Sequence, residues 1–556
     1  MEIIPVTPGQ TILIPQYDGQ SVPVIISFPH GNFRKYDQSQ TNLLPTNIAD
    51  LVPPQFSARV IDEVFNKFDY SEFYNLYKKE GSPAYNPVAL LKGIFYCLYT
   101  GTYSSRQIAY RFRFDVVVMF LSGSQTPDYR TISRFLKRFS TIIEGFFKQV
   151  VQICMQLGLV GMSNISIDGT KIKANASVKK TYDMDRCDKI IKKCLEEIRK
   201  IDEQEDAEFG ELDGLTISAD FTDPNERSKQ IQKLVDKVKE MEKIKAKLTE
   251  SGKDSINTTD PDAPLMKMGG DIGPAYNAQL AVDSDNGIIV AAHVTDEQND
   301  TQQFIETYES VVENTGQIPK AVTADAGYAS YEVLQYLENE NIDGYIPDTR
   351  MRIEKAGKTK WFPKGKFVYN AETDEYTCPN GRNLHVSGKQ KTHDDKMMKK
   401  YTTDCKGCPL HDKCTKSKRR TITRHPQEHL QEEMRKKLDS DTGKAIYLER
   451  MSTVEPVNGD IKYNQECYEF SVRGKKNANG QLLVYSILHN LKKIIKFSIS
   501  SMVASGSSVF HSFVQLFLQV LDAKILIFQI LGLSRFLFCS LTHNKHARCT
   551  GKILKI

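Results

Sequence analysis

The sequence predicts an α/β protein: a mixed sheet core with a helical region before it and two insertions within it. Three observations carry this reading. Short apolar or alternating runs suited to strands recur at Ile165–Asp168, Ala278–Asp283, Ile288–Val294 and Ala321–Asp325. Helical spacing follows them, from Thr301 to about Val312 and from Tyr331 onward. Charge is also uneven: from Arg350 to Arg424, 20 Lys/Arg face 8 Asp/Glu, a local +12. The rest of the chain then carries −7, since the whole sums to +5.

A chain of 556 residues, 40% hydrophobic and 26% charged, has an ordinary globular balance, which excludes a disordered or fibrous class. Its length suits roughly three to four domains. A basic block on an otherwise acidic chain points to a polyanion, nucleic acid first, and away from a general membrane-surface role. The opening Met1-Glu2-Ile3-Ile4-Pro5 has no basic start and no apolar run, so a cytosolic, reducing setting is expected. There the eleven cysteines read as metal ligands, where clustered, before disulfides.

In chain order, residues 1–80 read as loop-rich. Residues 81–150 read as short helices opening near Pro87, at Ser104-Ser105 and after Thr126-Pro127-Asp128. Arg106 and Arg134 fall on their polar stripes, which suits a helix-turn-helix DNA-binding unit; a plain bundle with a solvated basic face is the alternative. The core is expected at 160–177, 263–347 and 440–495, with an Asp285-Asn286-Gly287 hairpin turn. Between its parts, 178–262 reads as an antiparallel helical hairpin with Ile191, Cys194, Ile198 and Ile201 on one arm. Ile231, Leu234, Val238, Met241 and Leu248 form a near-heptad seam on the other. A solvated arm and a contact to DNA or a second subunit both fit it.

The second insertion, 348–425, is the basic block. Cys378, Cys405, Cys408 and Cys414 fall within it, and a Cys-x-x-Cys pair with two further thiols suits a tetrahedral Zn²⁺. His411 is a substitute ligand, and four reduced cysteines are the alternative. Lys416, Lys418, Arg419, Arg420 and Arg424 continue the charge and suit phosphate contacts. The tail, 497–556, holds a single acid, Asp522, and apolar runs at Val509–Leu521 and Ile525–Leu541. Both fall short of the ~20 residues a spanning helix needs. Packing helices and a tail foreign to the fold both remain open.

Two aspartates read as strand-terminal. Asp168 precedes Gly169, and Asp325 is followed by Ala326-Gly327, so each carboxylate is expected at the sheet edge. Carboxylates on neighbouring strands can share divalent cations that drive displacement at phosphorus. Glu455, with Lys462 seven positions on, is the third candidate, and Pro456 suggests a kink or a fresh helix start there. Glu449, Glu466 and Glu469 compete with it.

Tyr447, Arg450, Glu455 and Lys462 follow one another in the order of a Tyr-Arg-Glu-Lys block, with gaps of two, four and six residues. On these residues the chain resembles the DDE transposases of bacterial insertion sequences, although the middle gap in that block is commonly three. The resemblance takes in Asn86–Phe139, Pro274–Gln279, the cysteine insertion, and Phe470–Gly474 through His489–Lys493. It implies an RNase H-like core with Asp168, Asp325 and Glu455 as catalytic, Mg²⁺- or Mn²⁺-holding carboxylates. Tyr447, Arg450, Lys462 and Arg473 would lie on DNA. It further implies hydrolysis at element ends, attack of the freed 3′-hydroxyl on target DNA, a homodimer assembled on DNA, and a cytoplasmic, nucleoid-associated setting. A metal-dependent nuclease without strand transfer and an inactive DNA-binding remnant are the alternatives.

Overall fold

The computed structural model describes residues 11–15, 21–25, 47–77, 83–210, 224–357, 359–392 and 396–504. Residues 1–51 form a unit of their own, with strands β1 (Thr11–Pro15) and β2 (Ser21–Ile25) paired antiparallel. The second unit begins at Val52 and holds the remaining elements.

Its first part is helical because caps and apolar spacing agree. Helices α1 (Ser57–Asn66) and α2 (Ser71–Tyr74) precede α3 (Pro87–Tyr99), α4 (Ser105–Phe114), α5 (Val116–Ser122), α6 (Tyr129–Phe139) and α7 (Ile143–Gln156). The Asn86 side chain accepts from the Val88 and Ala89 amides, with Pro87 at the first helical position. Asp115 and Asp128 cap α5 and α6 in the same way. The expectation of loop up to residue 80 is corrected: α1 buries Ala58, Ile61 and Phe65 at helical spacing. Nor do the helices stand as a separate domain. Ile94, Phe112 and Phe139 belong to one continuous core with the sheet residues Ile167 and Leu280.

The sheet follows. Strand β3 (Ile165–Lys173) is central. After it, β4 (Thr181–Tyr182) leads into α8 (Met184–Gly210) and α9 (Pro224–Ser251), and β5 (Ile256–Asn257) closes the arm by pairing with β4. The two arm helices pack together through Cys187, Met241, Ile244 and Leu248. Then come β6 (Leu265–Met268), β7 (Asp271–Asp283), β8 (Ile289–Thr295), α10 (Gln303–Thr315), β9 (Val322–Ala324), α11 (Tyr331–Asn339) and β10 (Gly344–Tyr345).

Strand order is β8-β7-β3-β9-β10, with β6 on the outer end of β7. β7 runs antiparallel to both β3 and β8, whereas β9 is parallel to β3 and β10. β7 is buried from Gly273 to Asp283, so both its faces must be covered. Gly287, at φ +68°, makes the predicted turn into β8.

The basic insertion opens with α12 (Thr349–Lys355) and builds an antiparallel sheet of β11 (Val368–Asn370), β12 (Glu375–Thr377), β13 (Asn383–Lys391), β14 (Met397–Thr402) and β15 (Thr421–Arg424), with α13 (His411–Cys414) before the last strand. Phe367, Tyr376, Leu384, Tyr401 and Ile422 give it a core of its own. α14 (Glu428–Asp439) and α15 (Asp441–Gly459) return the chain to the main sheet. A π-helical turn, Asp460–Asn464, follows, and α16 (Lys475–Ala504) ends the described chain. The apolar runs expected at 509–541 lie outside the described residues. No helix among the described residues is long and apolar enough to cross a membrane.

Candidate active site

The β3/β9 register brings two distant aspartates together. Ile165, Ser166 and Ile167 pair with Val322, Thr323 and Ala324, and the next step on each chain is Asp168 and Asp325. A hydroxyl contact of 2.9 Å between Ser166 and Thr323 ties the strands just before them. Asp325 follows the last residue of β9, as expected. Asp168 does not end its strand: β3 runs on to Lys173, held by β7 beyond the point where β9 leaves it. Gly169 is therefore an in-strand residue opposite Gln279 rather than a turn.

Helix α15 lies across this end of the sheet, with Val454 and Val457 in the core. From it Arg450 Nη2 donates to Asp168 Oδ1 at 2.5 Å, and Asn458 Nδ2 donates to Asp168 Oδ2 at 2.8 Å. Burial, opposed by Arg450 and reinforced by Asp325 and Asp300, leaves the Asp168 carboxyl raised to about 6. Arg450 Nε and Asn458 Oδ1, on the two side chains that bond it, are buried with no hydrogen-bond partner among the described residues. Two adjacent carboxylates, one resisting ionisation, and two orphaned polar atoms fit an incoming cation and its oxygen ligands.

Glu455 is exposed on α15, one turn before Asn458, and makes no ion pair among the described residues. Of the two outcomes Pro456 suggests, a kink or a fresh helix start, the fresh start does not occur: α15 passes through Pro456. The π turn then changes the helical phase, so Lys462 does not return to the Glu455 face by simple periodicity. Lys462 is half-buried without a hydrogen-bond partner among the described residues: burial draws its ammonium down while the Asp168 charge holds it up. Asp460 anchors that turn, accepting from Gln465 at 2.7 Å and His489 at 2.8 Å.

The other expected DNA contacts are spread out. Tyr447 packs against the apolar cluster of Tyr345, Met351 and Leu438. Arg473 is exposed and donates to the Asn175 carbonyl at 3.3 Å, beyond the end of β3. Arg106 and Arg134 are exposed on α4 and α6, which pack together, and Arg106 lies 5.0 Å from the Tyr129 ring. Lys416, Lys418 and Arg419 are exposed. Arg420 and Arg424 are corrected from surface contacts to structural ones. Arg420 donates to the Cys414 and Phe362 carbonyls, and Arg424 pairs with Glu432 at 2.6 Å over the Tyr369 ring.

Cys378, Cys405, Cys408 and Cys414 line one small pocket together with His411. Backbone amides of Arg382 and Arg420 donate to the sulfurs of Cys378 and Cys405, both at 3.4 Å. Gly381 and Gly407, both at positive φ, turn the two loops that carry Cys378 and the Cys405/Cys408 pair. Burial raises the Cys414 thiol, Arg420 opposes this, and the other three cysteines reinforce it. Among the described residues no three His, Cys, Asp or Glu side chains already stand in metal-holding geometry, at the acids or at the thiols.

Several polar residues at the site were not expected. Asp300, in the loop after β8, accepts from Asn277 Nδ2 at 2.7 Å and Gln279 Nε2 at 2.8 Å. Asn277 and Gln279 are the legible signal, two polar residues two apart in an otherwise apolar strand. Asn458 gives no such signal, being one polar residue near a helix end.

Residues 377–495 match the family model described as a transposase DDE domain, and residues 46–138 match a transposase domain (DUF772). These matches support a DDE-type transposase family. The first contains Arg450, Glu455 and Lys462, whereas Asp168 and Asp325 lie outside both. No curated protein and no solved structure matches the chain.

Proposed function

We propose that the chain is a DDE-type transposase that cuts and joins the DNA of an insertion sequence, with Asp168, Asp325 and Glu455 as its catalytic carboxylates. The observation that carries this reading is the register that sets Asp168 beside Asp325 where β9 leaves β3, under a helix from the matched transposase DDE segment. The strand order, three antiparallel strands followed by two parallel ones, supports an RNase H-like core.

Asp168 and Asp325 would hold Mg²⁺ or Mn²⁺, with Glu455 supplying the third carboxylate from α15. The cation supplies charge neutralisation at phosphorus and a more acidic water. The chain's own groups do the positioning. Lys462, half-buried and with no hydrogen-bond partner among the described residues, would take a phosphate, and Arg450 would exchange Asp168 for a phosphate oxygen as charge gathers there. Both expected steps, hydrolysis at the element end and attack by the freed 3′-hydroxyl, are in-line displacements at phosphorus. Substrate alignment and electrostatics therefore carry the rate. Handling two ends together calls for a homodimer on DNA. Arg106, Arg134 and Arg473 are proposed backbone contacts, and Tyr447 a support behind the helix.

Cys378, Cys405, Cys408 and Cys414 are proposed Zn²⁺ ligands that staple a small sheet with little core. The setting would be cytoplasmic, at the nucleoid.

The test is cleavage and joining of labelled element ends. Asp168→Ala, Asp325→Ala and Glu455→Gln should each lower cleavage at least ~1000-fold while DNA affinity stays within a few-fold. Near-wild-type cleavage by any of them removes that residue from the site. Cleavage without joining of pre-cut ends would make the chain a nuclease, and a fully inactive wild type would make it a remnant.

A further inference from the structure

Successive strand residues point to opposite faces, so the Asp168 side chain and the bare Cα of Gly169 look in opposite directions. Arg450 and Asn458 occupy the first face. Asp300 occupies the second: a Cβ on Gly169 would sit 2.3 Å from Asp300 Oδ1 and 2.7 Å from Gln279 Nε2. Only glycine lets this carboxylate rest against the strand behind Asp168.

From there, contacts run to the turn that carries Asp325. Gln279 Oε1 accepts from the Tyr328 hydroxyl, and Tyr328 is fully buried. Thr301 Oγ1, next to Asp300, donates to the Gly327 carbonyl at 3.2 Å, while Asp325 Oδ1 accepts from the Gly327 amide at 2.7 Å. Both Asp325 Oδ1 and Asp300 Oδ2 lie against Gly327, at 2.9 and 3.4 Å from where its Cβ would be. The turn 325–328 is thus clasped at its amide, its carbonyl and its terminal ring.

We infer that Asp300 is a positioning residue: through Gln279 and Tyr328 it braces the Asp325 turn against β3 and fixes the spacing of the two carboxylates. This rests on reading Asp168 and Asp325 as site acids. What it requires of Asp300 is an acceptor oxygen for two amides, not its charge. Asn can supply that oxygen and Ala cannot.

The experiment compares Asp300→Ala, Asp300→Asn and Tyr328→Phe in the full chain. It uses hydrogen–deuterium exchange of the peptide over 325–330 and cleavage of an element end with Mg²⁺. Asp300→Ala and Tyr328→Phe should speed exchange in that peptide at least ~10-fold and slow cleavage in parallel. Asp300→Asn should stay near wild type in both. If Asp300→Asn loses cleavage with exchange unchanged, the charge is what matters and the brace is wrong. Unchanged exchange in Asp300→Ala, or in Tyr328→Phe should the alanine variant not fold, also overturns it. Should the wild type cut no DNA, or Asp168→Ala cut as well as wild type, the transposase reading falls. The exchange comparison still decides the brace.

Discussion

Arg450 Nη2 lies 2.5 Å from Asp168 Oδ1, so the first candidate carboxylate carries its own counterion, an arginine whose side chain is 11% exposed. If Asp168 holds a divalent cation as proposed, that arginine and the cation would compete for one oxygen. Arg450→Ala should therefore leave Mn²⁺ affinity unchanged or tighter while lowering cleavage about 100-fold, since a donor to the reacting phosphate is lost. Calorimetric Mn²⁺ titration beside a cleavage assay reads both. A large loss of metal affinity would show Arg450 to be a scaffold instead.

Lys462 has no hydrogen-bond partner among the described residues and is half-buried, within reach of the Asp168 charge. A cation so placed is free for a phosphate. Lys462→Gln should weaken DNA binding for every sequence alike and lower the slope of log affinity against log salt by about 1. Unchanged salt dependence would take Lys462 off the DNA.

The four clustered thiols predict about one zinc per chain by elemental analysis. Cys405→Ser should release it and loosen β11–β15 before the main sheet, because the staple adds what that small core lacks. A zinc content near zero in protein purified without chelator would leave the cysteines as plain core.

Burial raises the Asp348 carboxyl, but two bonds from Arg435, at 2.5 and 2.7 Å, and the Met351 amide more than offset it, leaving it below its ordinary range. Burial also raises Asp460, and His489, Gln465 and Asn464 draw it lower still. Both groups bind protons less readily folded than unfolded. Their stabilisation is complete above pH ~5 and is lost as pH falls below the ordinary carboxylate value of ~3.8. Urea midpoints should drop between pH 5 and pH 3, and less steeply in Asp348→Asn. At pH 7 that variant should cost about 2 kcal/mol, under the ~3–5 kcal/mol of a fully buried pair because Arg435 is partly exposed.

The sequence by itself determined the local elements, because each is coded by short-range chemistry. Asn86-Pro87 and Asp128 start helices, Asp285-Asn286-Gly287 turns a hairpin, and alternating Ile165 and Ile167 make a strand. It also marked Asp168 and Asp325 as a candidate pair, since acids flanking apolar runs are costly without a purpose. Helix α1 was legible in its spacing and hidden only by the loop-like residues around it. Tertiary structure decided the rest. Pairing with β7 carried β3 five residues past Asp168, and the π turn changed the helical phase between Glu455 and Lys462. Arg424 reads as surface charge until Glu432 and Tyr369 close around it. Asp300 shows its use only when Gly169, 131 positions earlier, leaves room for it. Local pattern fixes what a segment becomes; which polar groups meet is set by register and packing between segments far apart in the chain.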